Sequence, residues 1–274
     1  MIEKSKEIIF EKQSFLGLHI SIFDRAELIS YLKNTVENNR KSILYGHALW
    51  TFPMLKKHPE IYIYGDKADV LVTDGRPFYV LAKIHGLPLK YDISIPNLVI
   101  LTLQLADKFN WSVYLLGATS EVNIIAQEKI KSKYKNINLV SGHNGYFDPQ
   151  LDSAKIIKQI NVFKPSILLI GITSPTKEKI AYEWKNELNT NIIIPCGGMI
   201  DVLAEKTKLT PTIIKKLGLA SFYRVLQEPK RLFRRYLYIY GYLFFYFFPL
   251  YFYKVILSRD KQYSIVDKNL IVRK

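Results

Sequence analysis

Alternation of short β-rich apolar runs with longer amphipathic stretches predicts an α/β fold, a mostly parallel sheet with helices on both faces. Two observations carry this. The runs are continuous Val/Ile/Leu segments, as strands buried on both faces require, and they tend to end in Gly or Asp, as turns into helices do. In chain order the strands are read at Ser42 to Tyr45, Asp69 to Val72, Trp111 to Leu116, Ile137 to Val140, Ser166 to Ile170 and Asn191 to Ile194. Helices are read at Asp24 to Asn39, Val122 to Lys133 and Lys177 to Leu188. No internal repeat or low-complexity linker interrupts the series, so the arrangement is read as Rossmann-like. The expected division is an α/β core over 1–217 and a helical appendage over 218–274.

Charge is unevenly spread along the chain. Lys and Arg exceed Asp and Glu by 39 to 24, a formal +15, and the last 51 residues hold 11 cations against 3 anions. Such concentration points to a local anionic partner. Arg224, Lys230, Arg231, Arg234 and Arg235 stand directly before Tyr236 to Tyr253, a run with no charged residue, seven Tyr and five Phe. An ordinary core helix would have to find a partner for each Tyr hydroxyl, whereas a membrane interface supplies them. Pro249 is expected to break the run. A segment that dips into or lies on an anionic membrane surface is therefore read in preference to a full span. A nucleic-acid-binding protein would interleave its cations along a folded groove, so no nucleic acid is expected.

The single cysteine, Cys196, excludes an intramolecular disulfide and any multi-cysteine metal site, and it suits a reducing compartment. The start, MIEKSKEIIFEKQ, lacks the apolar core of a signal peptide, so the globular part is expected in the cytoplasm.

In such a fold the ligand crevice lies beyond the carboxyl ends of the strands. Polar residues and glycines gather there: Gly46-His47, Thr73-Asp74-Gly75, Gly117-Ala118-Thr119, Ser141 to Tyr146, Gly171 to Pro175 and Cys196-Gly197-Gly198. Together they suggest a nucleotide-sized site. The absence of GxGxxG after the first strand and of GxxxxGK[ST] removes support for dinucleotide and P-loop binding. Asp74 is the leading catalytic carboxylate, since it follows a buried-looking strand and precedes a glycine; equally, it could cap a helix starting near Pro77. Asp201 could accept from a ribose or cap a helix, and Tyr146 could stack on a base or simply pack. His47, His58, His85 and His143 show no metal-ligand spacing and no DxD pair ends a strand, so neither metal nor cofactor is expected. Ser141 and Ser174 form no nucleophile motif.

The segments TDGRPFYVLAKIHGLPL, VYLLGATSEVNIIAQEKIKSKY, HNGYF, ILLIGITSPTKEK, CGGMIDVLAEKTKLTPTIIKKLGL and YRVLQEPKRLFRRYL resemble, in order, the blocks of the WecG/TagA/CpsF glycosyltransferase family, glycosyltransferase family 26, over roughly 40–237. The resemblance implies a UDP-sugar-dependent hexosyltransferase that moves a sugar, with inversion, to a polyprenyl-diphosphate-linked glycan at the inner membrane face, in surface polysaccharide biosynthesis. It implies Asp74 as base on the acceptor hydroxyl, and Tyr146 and Asp201 in the uridine pocket. Gly117, Lys177, Gly197 and Gly198 complete the expected donor set. The appendage arginines Arg224, Arg231, Arg234 and Arg235 would face the acceptor diphosphate and lipid headgroups.

Departures fall at positions that the family associates with the donor sugar or its phosphates. Gly46-His47-Ala48 replaces Thr-x-Asn, Asp92 stands where the family has an arginine, and the PKQE block reads Pro175-Thr176-Lys177-Glu178. An N-acetylmannosamine donor is therefore expected to be poor. Lys177 would favour an acidic donor and Asp92 would oppose one. A non-catalytic membrane scaffold would keep the tail yet not need Asp74, and self-association into a homo-oligomer stays open.

Overall fold

The computed structural model describes residues 8–138, 140–260 and 262–266, apart from the side chain of Arg231. The chain opens on an antiparallel hairpin, β1 (Lys12–Phe15) and β2 (Leu18–Ser21). Helix α1 (Arg25–Glu37) starts with a capping box in which Asp24 and Glu27 satisfy each other's backbone N–H. Then follow β3 (Ser42–His47), α2 (Thr51–Leu55), α3 (Glu60–Gly65), β4 (Val70–Thr73), α4 (Arg76–Ile84), α5 (Ile95–Phe109), β5 (Val113–Gly117), α6 (Ser120–Lys133) and β6 (Val140–His143). The second half comprises α7 (Ser153–Phe163), β7 (Ile167–Gly171), α8 (Thr176–Glu183), β8 (Ile192–Pro195), α9 (Met199–Leu203), α10 (Thr212–Lys216), α11 (Ala220–Gln227) and α12 (Pro229–Tyr242).

Strands β3 to β8 form one parallel sheet in the order β4-β3-β8-β7-β5-β6. Side chains alternate between its faces. Leu44, Val72, Leu115, Leu169 and Ile194 pack under α1, α5 and α6, while Ile43, Leu71, Leu116, Ile170 and Ile193 pack under α7 and α8. The doubly covered parallel sheet expected from the sequence is thus present. The strand read at Ile137 to Val140 begins at Val140, with Leu139 outside the described residues, and the helix read to Leu188 ends at Glu183.

A third apolar cluster joins the N-terminal hairpin, α2 and α4 to the C-terminal helix through Phe15, Phe52, Phe78, Ile239, Leu243 and Phe247. That helix does not break at Pro249, contrary to expectation. It runs on from α12 through π-helical turns at Leu243–Phe247 and Phe252–Leu257. Proline in a helix clashes with the carbonyl four residues back. The wider turn before Pro249, in which the Phe248 N–H reaches the Leu243 carbonyl, relieves that crowding. The stretch Leu232–Leu257, which contains an 18-residue window of mean hydropathy 1.2, is long and apolar enough to cross a membrane by length and composition.

Candidate active site

Asp74 directly follows β4. Its N–H donates to the His47 carbonyl at 2.7 Å, extending the β3–β4 ladder one residue beyond the strand. Its carboxylate accepts the Ile95 N–H at 3.0 Å, at the start of α5, whose N-cap Ser94 makes no side-chain bond. Asp74 therefore does not cap α4, whose N-cap residue is Gly75 (φ 98°) with no side-chain cap bond. It is held from the next element instead, with its second oxygen left for other work. Burial lifts the Asp74 carboxyl above the usual carboxylate range, against the pull of the Ile95 N–H and of Lys177, Arg224 and Lys215. A base with a raised pKa is a stronger proton acceptor. A Cβ on Gly46 would lie 2.7 Å from Ile95 Cγ1 and 3.0 Å from Asp74 Cβ, so the glycine lets the β3 end press on this carboxylate.

Asp74 opens into a cleft of about 810 Å³. Cations stand around it: Lys215 donates to Asn97 Oδ1 at 2.9 Å, Arg224 lies against Gly198, and Arg76 pairs with Asp92 at 2.8 Å on the rim. The C-terminal helix adds a largely apolar wall, with Tyr236, Ile239, Tyr240, Leu243, Phe244 and Phe248. Cys196 also lines the cleft, but burial pushes its thiol up to about 12, far from a reactive thiolate.

Beside the cleft the chain leaves β5 toward the sheet edge at β6 and leaves β7 the other way, toward β8. Crevices form at such reversals. Glycines clear this one. A Cβ on Gly117 would stand 2.5 Å from the Gly171 carbonyl oxygen, one on Gly171 would stand 3.1 Å from that of Gly197, and one on Gly145 would stand 2.9 Å from Gly117 Cα. The row ends at Gly198 under Arg224. Asn123 of α6, 2% exposed, clamps the same edge by donating to the carbonyls of Leu115 (3.1 Å), Gly117 (2.9 Å) and His143 (3.0 Å).

The expected donor residues follow this row. Gly117, Gly197 and Gly198 form its floor, Tyr146 stands 78% exposed on the loop after β6, and Asp201 in α9 lies 3.5 Å from Lys206. Of these, Gly198 also lines the cleft that holds Asp74. Lys177 is buried, paired with Glu178, and its ammonium lies 4.6 Å from the Tyr45 ring centroid. Glu178 further accepts from the Tyr45 hydroxyl (3.0 Å) and Ser174 (2.8 Å). His47 Nε2 lies 3.1 Å from Asp66 Oδ1, while Ala48 lines the cleft.

The four expected arginines separate. Arg224 enters the cleft, Arg234 is exposed on α12, and Arg235 lies over the Trp50 ring at 5.5 Å; the Arg231 side chain is outside the described residues. Sequence reasoning passed over Arg76, Asn97, Lys215 and Asn123. Arg76 follows the Asp-Gly pair directly and carries a local signal, Asn97 and Lys215 meet across 118 residues of chain, and Asn123 is marked only by the three carbonyls it reaches.

A parallel α/β sheet with a half-buried carboxylate at a strand end and a glycine-cleared reversal beside it is an arrangement of the kind that the ordered motifs suggest. Residues 13–257 match the model of the glycosyl transferase WecG/TagA/CpsF family, and the chain belongs to that family. It is 28% identical over 233 residues to N-acetylglucosaminyldiphosphoundecaprenol N-acetyl-beta-D-mannosaminyltransferases of Staphylococcus aureus strains MRSA252, MW2 and NCTC 8325, covering 81% of this chain and 87% of each relative.

Proposed function

We propose that this glycosyltransferase moves a hexose or N-acetylhexosamine, with inversion, from a UDP-sugar to a polyprenyl-diphosphate-linked glycan at the cytoplasmic face of the membrane, in surface polysaccharide assembly. One observation carries the reading. A single cleft is lined by a half-buried carboxylate, by cations and by apolar side chains of the C-terminal helix. An acceptor with a sugar hydroxyl, a diphosphate and an isoprenoid tail carries those same three chemistries, and the relatives are named for a substrate of that kind.

In this reading Asp74 takes the proton of the acceptor hydroxyl. The hydroxyl oxygen bonds to the anomeric carbon as the bond to UDP breaks on the opposite face. The UDP lies along the glycine row, with Tyr146 on the base and Asp201 on the ribose, and backbone N–H groups, Arg224 and Lys215 meet the charge that develops on the leaving diphosphate. Turnover then needs no added divalent ion. Arg231, Arg234 and Arg235 serve the acceptor diphosphate and the headgroups.

The C-terminal helix lies on the membrane in this account, since the edge bearing Ile239, Leu243, Phe247, Tyr251 and Val255 is already committed to the protein core. Leu237, Phe245 and Tyr253, exposed by 64%, 79% and 58%, are the side chains that enter the interface.

The donor sugar is uncharged. Glu178 already matches the Lys177 ammonium, which removes Lys177 as the cation for a uronic acid, and Arg76 neutralises Asp92 on the rim. Gly46 and Ala48 offer no side-chain hydrogen bond and still disfavour N-acetylmannosamine. Assay of UDP-N-acetylmannosamine, UDP-glucose and their uronic acids on one lipid-diphosphate acceptor tests this reading. Preference for a uronic acid overturns the donor assignment, and no acceptor-dependent UDP release from any of them overturns the reaction.

A further inference from the structure

Successive buried positions on the C-terminal helix lie four residues apart: Ile239, Leu243, Phe247, Tyr251 and Val255. In a pure α-helix each such step overshoots a full turn by about 40°, but the π-helical turns underwind the chain and keep the stripe on one edge. The helix therefore has four edges. One is buried, and one, with Tyr240, Phe244 and Phe248, walls the active-site cleft. Opposite the buried edge stand Leu237, Phe245 and Tyr253, exposed by 64%, 79% and 58%. The remaining edge carries Tyr238, Tyr242 and Tyr246.

Two lysines from the turn after α2 face the tyrosine edge. Lys57 Nζ lies 4.1 Å from the Tyr238 ring centroid, and Lys56 Nζ lies 4.7 Å from that of Tyr246 and 5.7 Å from that of Tyr242. The Tyr238 hydroxyl donates to the Pro53 carbonyl at 3.2 Å and holds the edge in place. Both lysines are exposed, and neither pairs with a carboxylate among the described residues. Beside Lys56 a cavity of about 250 Å³ runs in between Phe52, Leu55, Pro59, Tyr62, Tyr242 and Tyr246.

We propose that Lys56 and Lys57 form a binding site for the headgroup of an anionic phospholipid, with the upper part of one acyl chain in the adjoining cavity. The inference rests on the reading that the C-terminal helix lies on the membrane. Charge complementarity and continuity with the exposed aromatic edge select this occupant: two unneutralised ammonium groups are held on tyrosine rings beside an apolar recess, along a helix whose outer edge is aromatic. With Leu237, Phe245 and Tyr253 toward the bilayer, the tyrosine edge and the cleft edge both lie at headgroup level, on opposite flanks. A lipid gripped by Lys56 and Lys57 sets the roll of the helix and keeps the cleft open to the membrane. This grip is separate from the arginines beside the acceptor.

The test is flotation of the full chain with phosphatidylglycerol and phosphatidylcholine vesicles at low salt. Lys56→Gln/Lys57→Gln is expected to weaken binding to phosphatidylglycerol on the order of tenfold. Phosphatidylcholine binding, Tm and transfer to a short-chain water-soluble acceptor should stay unchanged, and Lys56→Arg/Lys57→Arg should restore binding. Undiminished phosphatidylglycerol binding by the glutamine variant, with the parent bound, overturns this site alone. A matching loss on both vesicle types with a lowered Tm makes the lysines a latch for the helix and overturns it too. Displacement by inorganic phosphate at the concentration of lipid phosphate would identify a free-anion site instead. If the parent binds neither vesicle, the membrane reading and this site fall together.

Discussion

Ile194 and Phe247 are both fully buried, but their surroundings differ. Ile194 sits on β8, paired with β7 and β3 on either side and covered on both faces. Phe247 sits on a helix sealed along one edge, and Phe245, two residues earlier, is 79% exposed. The sheet holds its carboxyl edge from several directions at once, through ladder bonds, two packed faces and the Asn123 clamp. The C-terminal helix is packed into the core along one edge and turns its opposite edge outward. Asp74 lies where the two regimes meet. Bond-making chemistry needs the fixed side, and a long lipid substrate needs the open one.

The comparison breaks most sharply at Asp74. Asp74→Asn should lower turnover about 10²-fold to 10⁴-fold while the protein stays folded. Because burial raises this carboxyl in the folded state, the native protein holds the proton more tightly than the unfolded chain does. Stability at this residue therefore falls as pH rises through the window above the reference value of 3.8. Removing the charge should consequently leave Tm at neutral pH unchanged or higher, and the acid limb of the kcat/KM profile should lie above that of an ordinary carboxylate. Near-normal transfer by the folded variant would remove Asp74 from the mechanism.

On the helix, Phe247→Ala should cost about 3–5 kcal/mol in denaturant unfolding, as loss of a fully buried ring does. Phe245→Ala should change stability by no more than about 0.5 kcal/mol yet weaken vesicle binding. Equal destabilisation by the two would contradict an edge-by-edge division of the helix.

Asn123→Ala probes the fixed side. Leaving its three carbonyl partners short of a donor should cost about 1–3 kcal/mol. Since those carbonyls belong to the ends of β5 and β6, KM for the UDP-sugar should rise more than kcat falls. An effect on Tm with both kinetic constants unchanged would limit Asn123 to stability.

The smallest effect is expected at Arg234. Arg234→Gln should weaken binding to anionic vesicles by about 1 kcal/mol at low salt, and less as salt screens the charge. Parity of anionic and neutral vesicles for the parent protein would end the electrostatic part of the account.

Several features legible in the sequence share one cause, which is that they depend on near neighbours. Strands such as Ser166 to Ile170 announce themselves because burial on both faces demands an unbroken apolar run, and the helix read from Asp24 shows in its own amphipathic period. Asp74 was readable as a carboxylate at a strand end, but not which helix it would hold, since Ile95 arrives from 21 residues away. The N-terminal hairpin was not read as paired strands. Phe15 and Leu18 are buried in a cluster that Phe52, Phe78 and Phe247 join from far along the chain. Helix α5 was missed because IPNLVILTLQLADKF is buried around most of its circumference, which blurs the amphipathic period. Pro249 was read by its intrinsic preference, which the π-helical turn before it overrides.

The sequence alone determined the α/β class, the carboxyl-edge location of the polar clusters, the family resemblance and the charge of the tail, because local pattern and composition suffice for these. Tertiary structure decided that Asp74 shares a cleft with Arg224, Lys215 and the C-terminal helix, that Lys177 is matched by Glu178, and which edge of the helix is buried. Each of those depends on which distant surfaces meet, and a single chain of residues specifies such meetings only through the packing of the whole.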